Sequence, residues 1–392
     1  MPPTPRDRLR TALAHHEPDR LPFDLGSTQV TSIASRAQRR LRARLGLPEV
    51  PGRVSDRVQQ LDHVEEDLLR VLEVDTRGLW PLTARNRPIE ERDDGEHLSH
   101  VDEWGLVYRI RREGALWYDL ASSPLAGGAL TRERIDAHPW PRGDDPGLVE
   151  GLRAEALAHR EAGHAVVLKS LSAGLFEMAQ RLRGMEAFLM DLALSPAAAG
   201  HLIDRVLDVK LDYWHHALAA LGDLVDVVAE GDDYGTQQSM LVSPATFRAV
   251  FKPRLGELVR GMKRGAADAF VFFHSCGSVR KILPDLIEIG VEILNPVQTT
   301  AAGMEPAALK RDFGKDVSFW GGGVDTQGVL PRGTPAEVRD DVRRNVDALA
   351  PGGGFVFCTV HNLQADVPPE NVLAMVEALR THAAPGGERN ER

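Results

Sequence analysis

Short apolar runs alternate along this chain with longer segments of helical period, and the alternation is regular enough to predict an architecture. The β-rich runs are LPFDLG (21–26), DTRGLW (75–80), AVVLKS (165–170), DVVAEGD (226–232), FVFFHS (270–275), EILNP (292–296), VSFWGG (317–322) and FVFCTV (355–360). Several are almost wholly apolar, the pattern of strands covered on both faces in a parallel sheet. The segments between them carry helix signals. Ser195 and Ser243 each precede a proline, which predicts an N-cap followed by Pro at the first helical position. Thr334 with Glu337 three residues on predicts a capping box, and PGGG at 351–354 a helix stop. SVRKILPDLIEIG (278–290) and PPENVLAMVEALRTHA (368–383) read as helices after the fifth and eighth strands. Strands joined by helical crossovers predict an α/β fold, a (β/α)₈ barrel forming one unit over residues 1–384. A doubly wound open sheet is the other architecture open to such a pattern, but the first strand–helix turn lacks a glycine fingerprint.

Residues 82–145 break the alternation. They read as short strands and turns, which predicts a β-rich insertion after the second strand, a hairpin-like lid over the barrel mouth, with Trp104 in its packing. The end of the chain, PGGERNER (385–392), is expected to be a disordered tail.

Composition narrows the functional classes. The chain has 392 residues, 43% apolar and 27% charged, and a net charge of −10, so it carries no global basic footprint for nucleic acid. No apolar run approaches the roughly 20 residues that cross a bilayer, and the charged N-terminus lacks the apolar core of a secretory signal. A cytoplasmic location, a small-molecule substrate and a homodimer are the expectations. The two cysteines, Cys276 and Cys358, do not make a disulfide framework.

Active sites of such barrels lie at the C-terminal ends of the strands. The polar residues expected there are Asp24 after the first strand and Glu230, Asp232 and Asp233 after the fourth. His274 and Cys276 end the fifth, Asn295 and Gln298 the sixth, Asp325 and Gln327 the seventh, and Cys358 and His361 the eighth. His274 and Cys276 are two apart, which places both on one face of a strand. A metal at the mouth would collect His274, Cys276 and Cys358, a donor set that suits zinc and leaves a fourth position open. Gly277 is expected to open a helix, whose N-terminus would favour the Cys276 thiolate. The plainer reading of an isolated H-x-C, a buried cysteine beside a hydrogen-bonded histidine, stays open at this level.

GLFEMAQRLRGMEAFLMDLALSP, GDDYGTQQSMLVSPATFRAVFKPRL, FFHSCGSV, WGGGVDTQGVLPRGTPAEV and VHNLQADVPPENVLAMVEAL resemble the uroporphyrinogen decarboxylase superfamily, whose fold is a (β/α)₈ barrel; the opening RDRLRTALAHHEPDRLPFDLG is also similar. True decarboxylases of that superfamily carry an arginine-rich motif for the porphyrinogen carboxylates where this chain reads LPFDLGSTQVTSI, without arginine. The methyltransferase branch instead carries H-x-C and a distant cysteine as zinc ligands, which maps onto His274, Cys276 and Cys358. That resemblance implies a zinc-dependent methyltransferase acting between a corrinoid, free or on a corrinoid protein, and a thiol-type acceptor. Glu230 would close the fourth metal position, with Asp233, Asp325 and His361 as further catalytic candidates and Asp24, Asn295 and Gln298 as substrate-binding ones. The rival readings are a metal-free decarboxylase of a tetrapyrrole or other carboxylic acid, and a binding module without turnover.

Overall fold

The computed structural model describes residues 2–85 and 89–382, so the expected tail at 385–392 lies outside the described residues. Thirteen strands are numbered here in chain order: β1 (Val54–Asp56), β2 (Leu61–Asp62), β3 (Thr76–Leu79), β4 (Glu90–Asp93), β5 (His97–Val101), β6 (Val107–Arg111), β7 (Asp119–Ser122), β8 (Ala165–Lys169), β9 (Val227–Gly231), β10 (Phe270–His274), β11 (Ile293–Asn295), β12 (Ser318–Trp320) and β13 (Phe355–Val356). Seven of them pair in parallel in the order β13-β12-β11-β10-β9-β8-β3. The expected first strand supplies the missing stave in only three residues. Phe357 N–H donates to Pro22 O and Asp24 N–H to Phe357 O (both 2.9 Å), while Asp75 N–H donates to Phe23 O at 2.9 Å. These bonds join the two ends of the sheet, and the (β/α)₈ barrel closes. The strand is short because Gly26, at φ +89°, turns the chain away.

Side-chain alternation divides the barrel into two cores. Ala165, Val167, Val227, Ala229, Phe272, Ile293, Trp320, Val356 and Cys358 pack together inside the ring. Their neighbours Val166, Leu168, Val228, Val271, Phe273, Leu294, Phe319 and Phe355 face the helices. This parity decides which strand-end residues reach the mouth.

Most helix signals operate as read. Thr334 and Glu337 form the capping box of the helix Pro335–Leu349, and Ser243 Oγ accepts from Thr246 N–H at 3.0 Å. Ser195 precedes the helix Pro196–Leu221 but makes no side-chain cap bond. The segment after Ser243 is not one uniform helix: Phe247–Phe251 is a π-helical turn ahead of the helix Lys252–Gly265. Pro253 has no N–H and its ring crowds the carbonyl four residues back, which is a physical cause for widening there.

The expected β-rich insertion is an antiparallel meander, β4-β5-β6-β7, following β3. Arg57, beside β1, pairs with Glu91 on β4 and ties the meander to the barrel end. Trp104 is buried and packs edge-on to Trp140, with ring centroids 6.2 Å apart. No described helix is long and apolar enough to cross a membrane.

Candidate metal centre at the barrel mouth

β10 runs outward from the inner core, and the same parity that turns Phe272 inward turns His274 inward at its end. Gly231, its register partner on β9, leaves room for the ring, because a Cβ there would sit 2.8 Å from His274 Cβ. Asn295 on β11 then fixes the ring. Its Nδ2 donates to Trp320 O at 2.7 Å, which turns its Oδ1 toward His274 Nδ1 at 2.5 Å. Nδ1 therefore carries the proton and Nε2 presents its lone pair, the arrangement of a metal-ligating histidine held by an outer partner.

Cys276 Sγ lies 3.5 Å from that Nε2. With zinc–nitrogen bonds of about 2.0–2.1 Å and zinc–sulfur bonds of about 2.3 Å, tetrahedral ligands stand roughly 3.5 Å apart. The cysteine is held by a tight turn. Its N–H donates to Asp233 Oδ1 at 2.7 Å, and Gly277 N–H donates to Gln298 Oε1 at 2.6 Å. Gly277 has φ +83°, and a Cβ on it would lie 2.5 Å from the Gly235 carbonyl carbon. Gly277 thus opens a turn; the first helical residues are the 3₁₀ turn Arg280–Ile282. Among the described residues no α-helix N-terminus meets the sulfur, and burial, with Asp233 and Glu177 adding, pushes the Cys276 thiol well up.

Among the described residues, His274, Cys276 and His361 bring their donor atoms within 4.8 Å of one another. His361 lies in the loop after β13, its ring 5.7 Å from that of His274. Burial first, and then His274, pushes its pKa down to about 4, so it is a neutral donor. One sulfur and two imidazoles are zinc-type donors, and the residues present fit that metal.

Cys358 is absent from the cluster: it packs in the inner core, 1% exposed, and donates to Thr359 O at 3.1 Å. Glu230, the expected fourth ligand, also lies outside that cluster. It faces outward, where Lys210 Nζ lies 3.0 Å from each carboxylate oxygen and Trp214 Nε1 donates at 2.7 Å. It is one residue out of phase with the mouth.

Other candidates are redistributed. Asp233 reaches the cluster, its Oδ1 3.5 Å from His274 Nε2. Asp232 caps the helix Leu175–Arg183 by accepting from Phe176 and Glu177 N–H at 2.7 and 2.9 Å. Asn295 and Gln298, expected to touch substrate, orient His274 and the Cys276–Gly277 turn. Asp325 accepts from the N–H groups of Gln327, Gly328 and Val329 at 2.9, 2.9 and 3.1 Å and serves a turn away from the cluster. Asp24 is buried and occupied by Thr76 Oγ1 at 2.6 Å and Trp320 Nε1 at 2.9 Å. Burial raises its pKa.

Above the cluster is a chamber of about 790 Å³, lined by His274, His361 and Asp233 below and by His100, Trp104 and Tyr108 of the insertion above. Lys169, Glu177 and Arg181 also line it. Glu177 pairs with Arg181 at 3.0 Å, and burial raises its pKa. None of these three stands out in the sequence, since Lys169 is a single polar residue ending an apolar run and the other two read as an i,i+4 surface pair.

A closed barrel with a histidine–cysteine donor cluster under a covered mouth defines the general class. A family model described as Uroporphyrinogen decarboxylase (URO-D) matches residues 129–382, well over half the chain, and the chain belongs to that family. It is 27% identical over 184 residues to methylcobamide:CoM methyltransferase MtaA of Methanosarcina barkeri, covering 45% of this chain and 48% of that protein. It is equally, 27%, identical over 200 residues to a uroporphyrinogen decarboxylase of Xanthomonas axonopodis pv. citri, covering 48% and 51%. The chain thus spans about half the length of the curated relatives it matches. Among solved structures, a methyltransferase from Methanosarcina mazei shares the fold with a TM-score of 0.64 at 18% identity, over 96% of this chain and 98% of that one.

Proposed function

We propose that this protein is a zinc-dependent methyltransferase, moving a methyl group between a corrinoid and a thiol-type acceptor. The observation that carries the reading is the convergence of His274, Cys276 and His361 beneath a covered chamber. The methyltransferase relative supports the reaction class. His274, Cys276 and His361 would hold the metal, with Asp233 alongside. Zinc bound there would supply Lewis acidity that keeps an acceptor thiol ionised at neutral pH.

The chain's own residues prepare that chemistry. Asn295 keeps the proton of His274 on Nδ1. Asp233 anchors the backbone of Cys276 and stands ready to take a proton from an entering thiol. The insertion covers the chamber and reduces its contact with water, which strengthens the electrostatics inside. The runner-up reading, a metal-free decarboxylase, is favoured by the equal identity to a named decarboxylase.

The test is zinc per chain in wild type, His361→Ala and Cys358→Ser, together with methylcobalamin consumption in the presence of thiols. Near one zinc in wild type and in Cys358→Ser, with loss in His361→Ala and zinc-dependent demethylation, is the expected result. Turnover of a carboxylic acid that survives complete removal of zinc would replace this reading with the decarboxylase.

A further inference from the structure

Lys169 is the last residue of β8 and shares the inward parity of Ala165 and Val167, so its side chain enters the chamber. Three cationic side chains line the chamber among the described residues: Arg57, Lys169 and Arg181. Arg57 is paired with Glu91, and Arg181 with Glu177. Lys169 has no carboxylate within ion-pair range among the described residues; its Nζ donates to Ser170 O at 3.1 Å and lies 5.4 Å from the centroid of the Trp80 ring. Burial works against its charge, and Asp56 and Glu103 favour the charge more weakly.

A second observation points the same way. Trp104 is 1% exposed and lines the chamber, yet its indole N–H has no hydrogen-bond partner among the described residues. Arg57 Nε is in the same condition. A buried donor without an acceptor is costly, and a ligand that accepts from it recovers that cost. The carboxylates nearby are engaged: Asp56 accepts from Gln59 N–H at 2.9 Å, and Asp102 from Trp104 and Leu106 N–H at 3.0 and 2.8 Å. The walls are aromatic, with Trp80, Trp104 and Tyr108 lining one space.

We infer that the chamber receives a flat organic monoanion, an aromatic carboxylate, whose charge is met by Lys169 and whose ring lies among Trp80, Trp104 and Tyr108. A single unpaired ammonium matches one anionic group, not a polycarboxylate. The inference rests on the methyl-transfer reading for what the ligand does there, but the binding itself does not depend on that reading.

The test is a titration of zinc-loaded and chelator-treated protein with 4-methoxybenzoate and its neutral counterpart 4-methoxybenzamide, followed by tryptophan fluorescence and calorimetry. The acid is expected to bind with a Kd of about 1 mM or better and roughly ten-fold more tightly than the amide. In Lys169→Met that preference falls away; in Lys169→Arg, which keeps the charge if the Met variant folds poorly, most of it remains. Trp104→Phe weakens the acid several-fold. Equal affinity for acid and amide in the wild type, no binding of the acid, or an unchanged preference in Lys169→Met overturns the inference. Zinc retained with no preference for the acid defeats this inference alone. A Lys169-dependent preference in a protein that holds no zinc defeats the metal reading and leaves this one standing.

Discussion

The ring of His274 is oriented by one amide, and the proposed metal centre would depend on it. Replacing Asn295 by Leu removes the acceptor that keeps the proton on Nδ1. Outer partners of metal-ligating histidines typically contribute about 10–100-fold in affinity. Asn295→Leu is therefore expected to weaken zinc by that factor in a chelator competition, while Gln298→Leu acts more mildly through the turn. Glu230 behaves differently because its partner is Lys210. Glu230→Ala leaves a buried ammonium without its countercharge, a loss of about 3–5 kcal/mol in urea unfolding. Zinc per folded chain should stay at the wild-type value. Zinc lost without loss of stability would instead return Glu230 to the metal site.

The elements explain why some of these roles were legible and others were not. H-x-C at the end of an apolar run points to two neighbouring donors, but alternation places only His274, since β10 ends there and the turn at Gly277 places Cys276. The same alternation moves Glu230 out of phase with the mouth, but applying it needs the start of β9, and both faces of GDDY are polar. His361 lies beyond the last residue of β13, where the strand period no longer applies, so the loop's path decides that it meets His274. Gly277 is the element-scale test of the turn that carries Cys276. Gly277→Ala forces a left-handed backbone and a contact with Gly235. It should cost about 1–3 kcal/mol and release zinc. A variant that keeps full zinc would show that the turn does not hold the cysteine in place.

At the scale of the whole molecule, buried titrating groups set the acid response. Burial pushes His63, His100 and His164 down to about 4. Each contributes stability that is present above the ordinary histidine pKa and lost as pH falls toward 4. Asp102 and Asp232 are pushed up to about 7, again chiefly by burial. They act with the opposite sign, contributing stability at low pH that is lost as pH rises through 7. The histidine contribution is read by difference: between pH 6.5 and 4 the urea midpoint of wild type should fall further than that of His164→Gln, which lacks one of the three groups. Asp232→Asn removes one opposing group, and its fall should be steeper than that of wild type. A shallower fall would mean that Asp232 is ionised throughout that range.

The alternation of strands and helices, the closed barrel and the β-rich insertion were legible in the sequence, because they follow from local period and turn residues; of the His-x-Cys pair, period places only His274. The tertiary structure decided which residues share a space. Barrel closure through Pro22–Asp24, the inward parity of Lys169, the burial of Cys358 in the inner core and the arrival of His361 beside His274 all join positions far apart in the chain. No local preference encodes those distances; they are set by the register between strands and by the path of the loops at the barrel mouth.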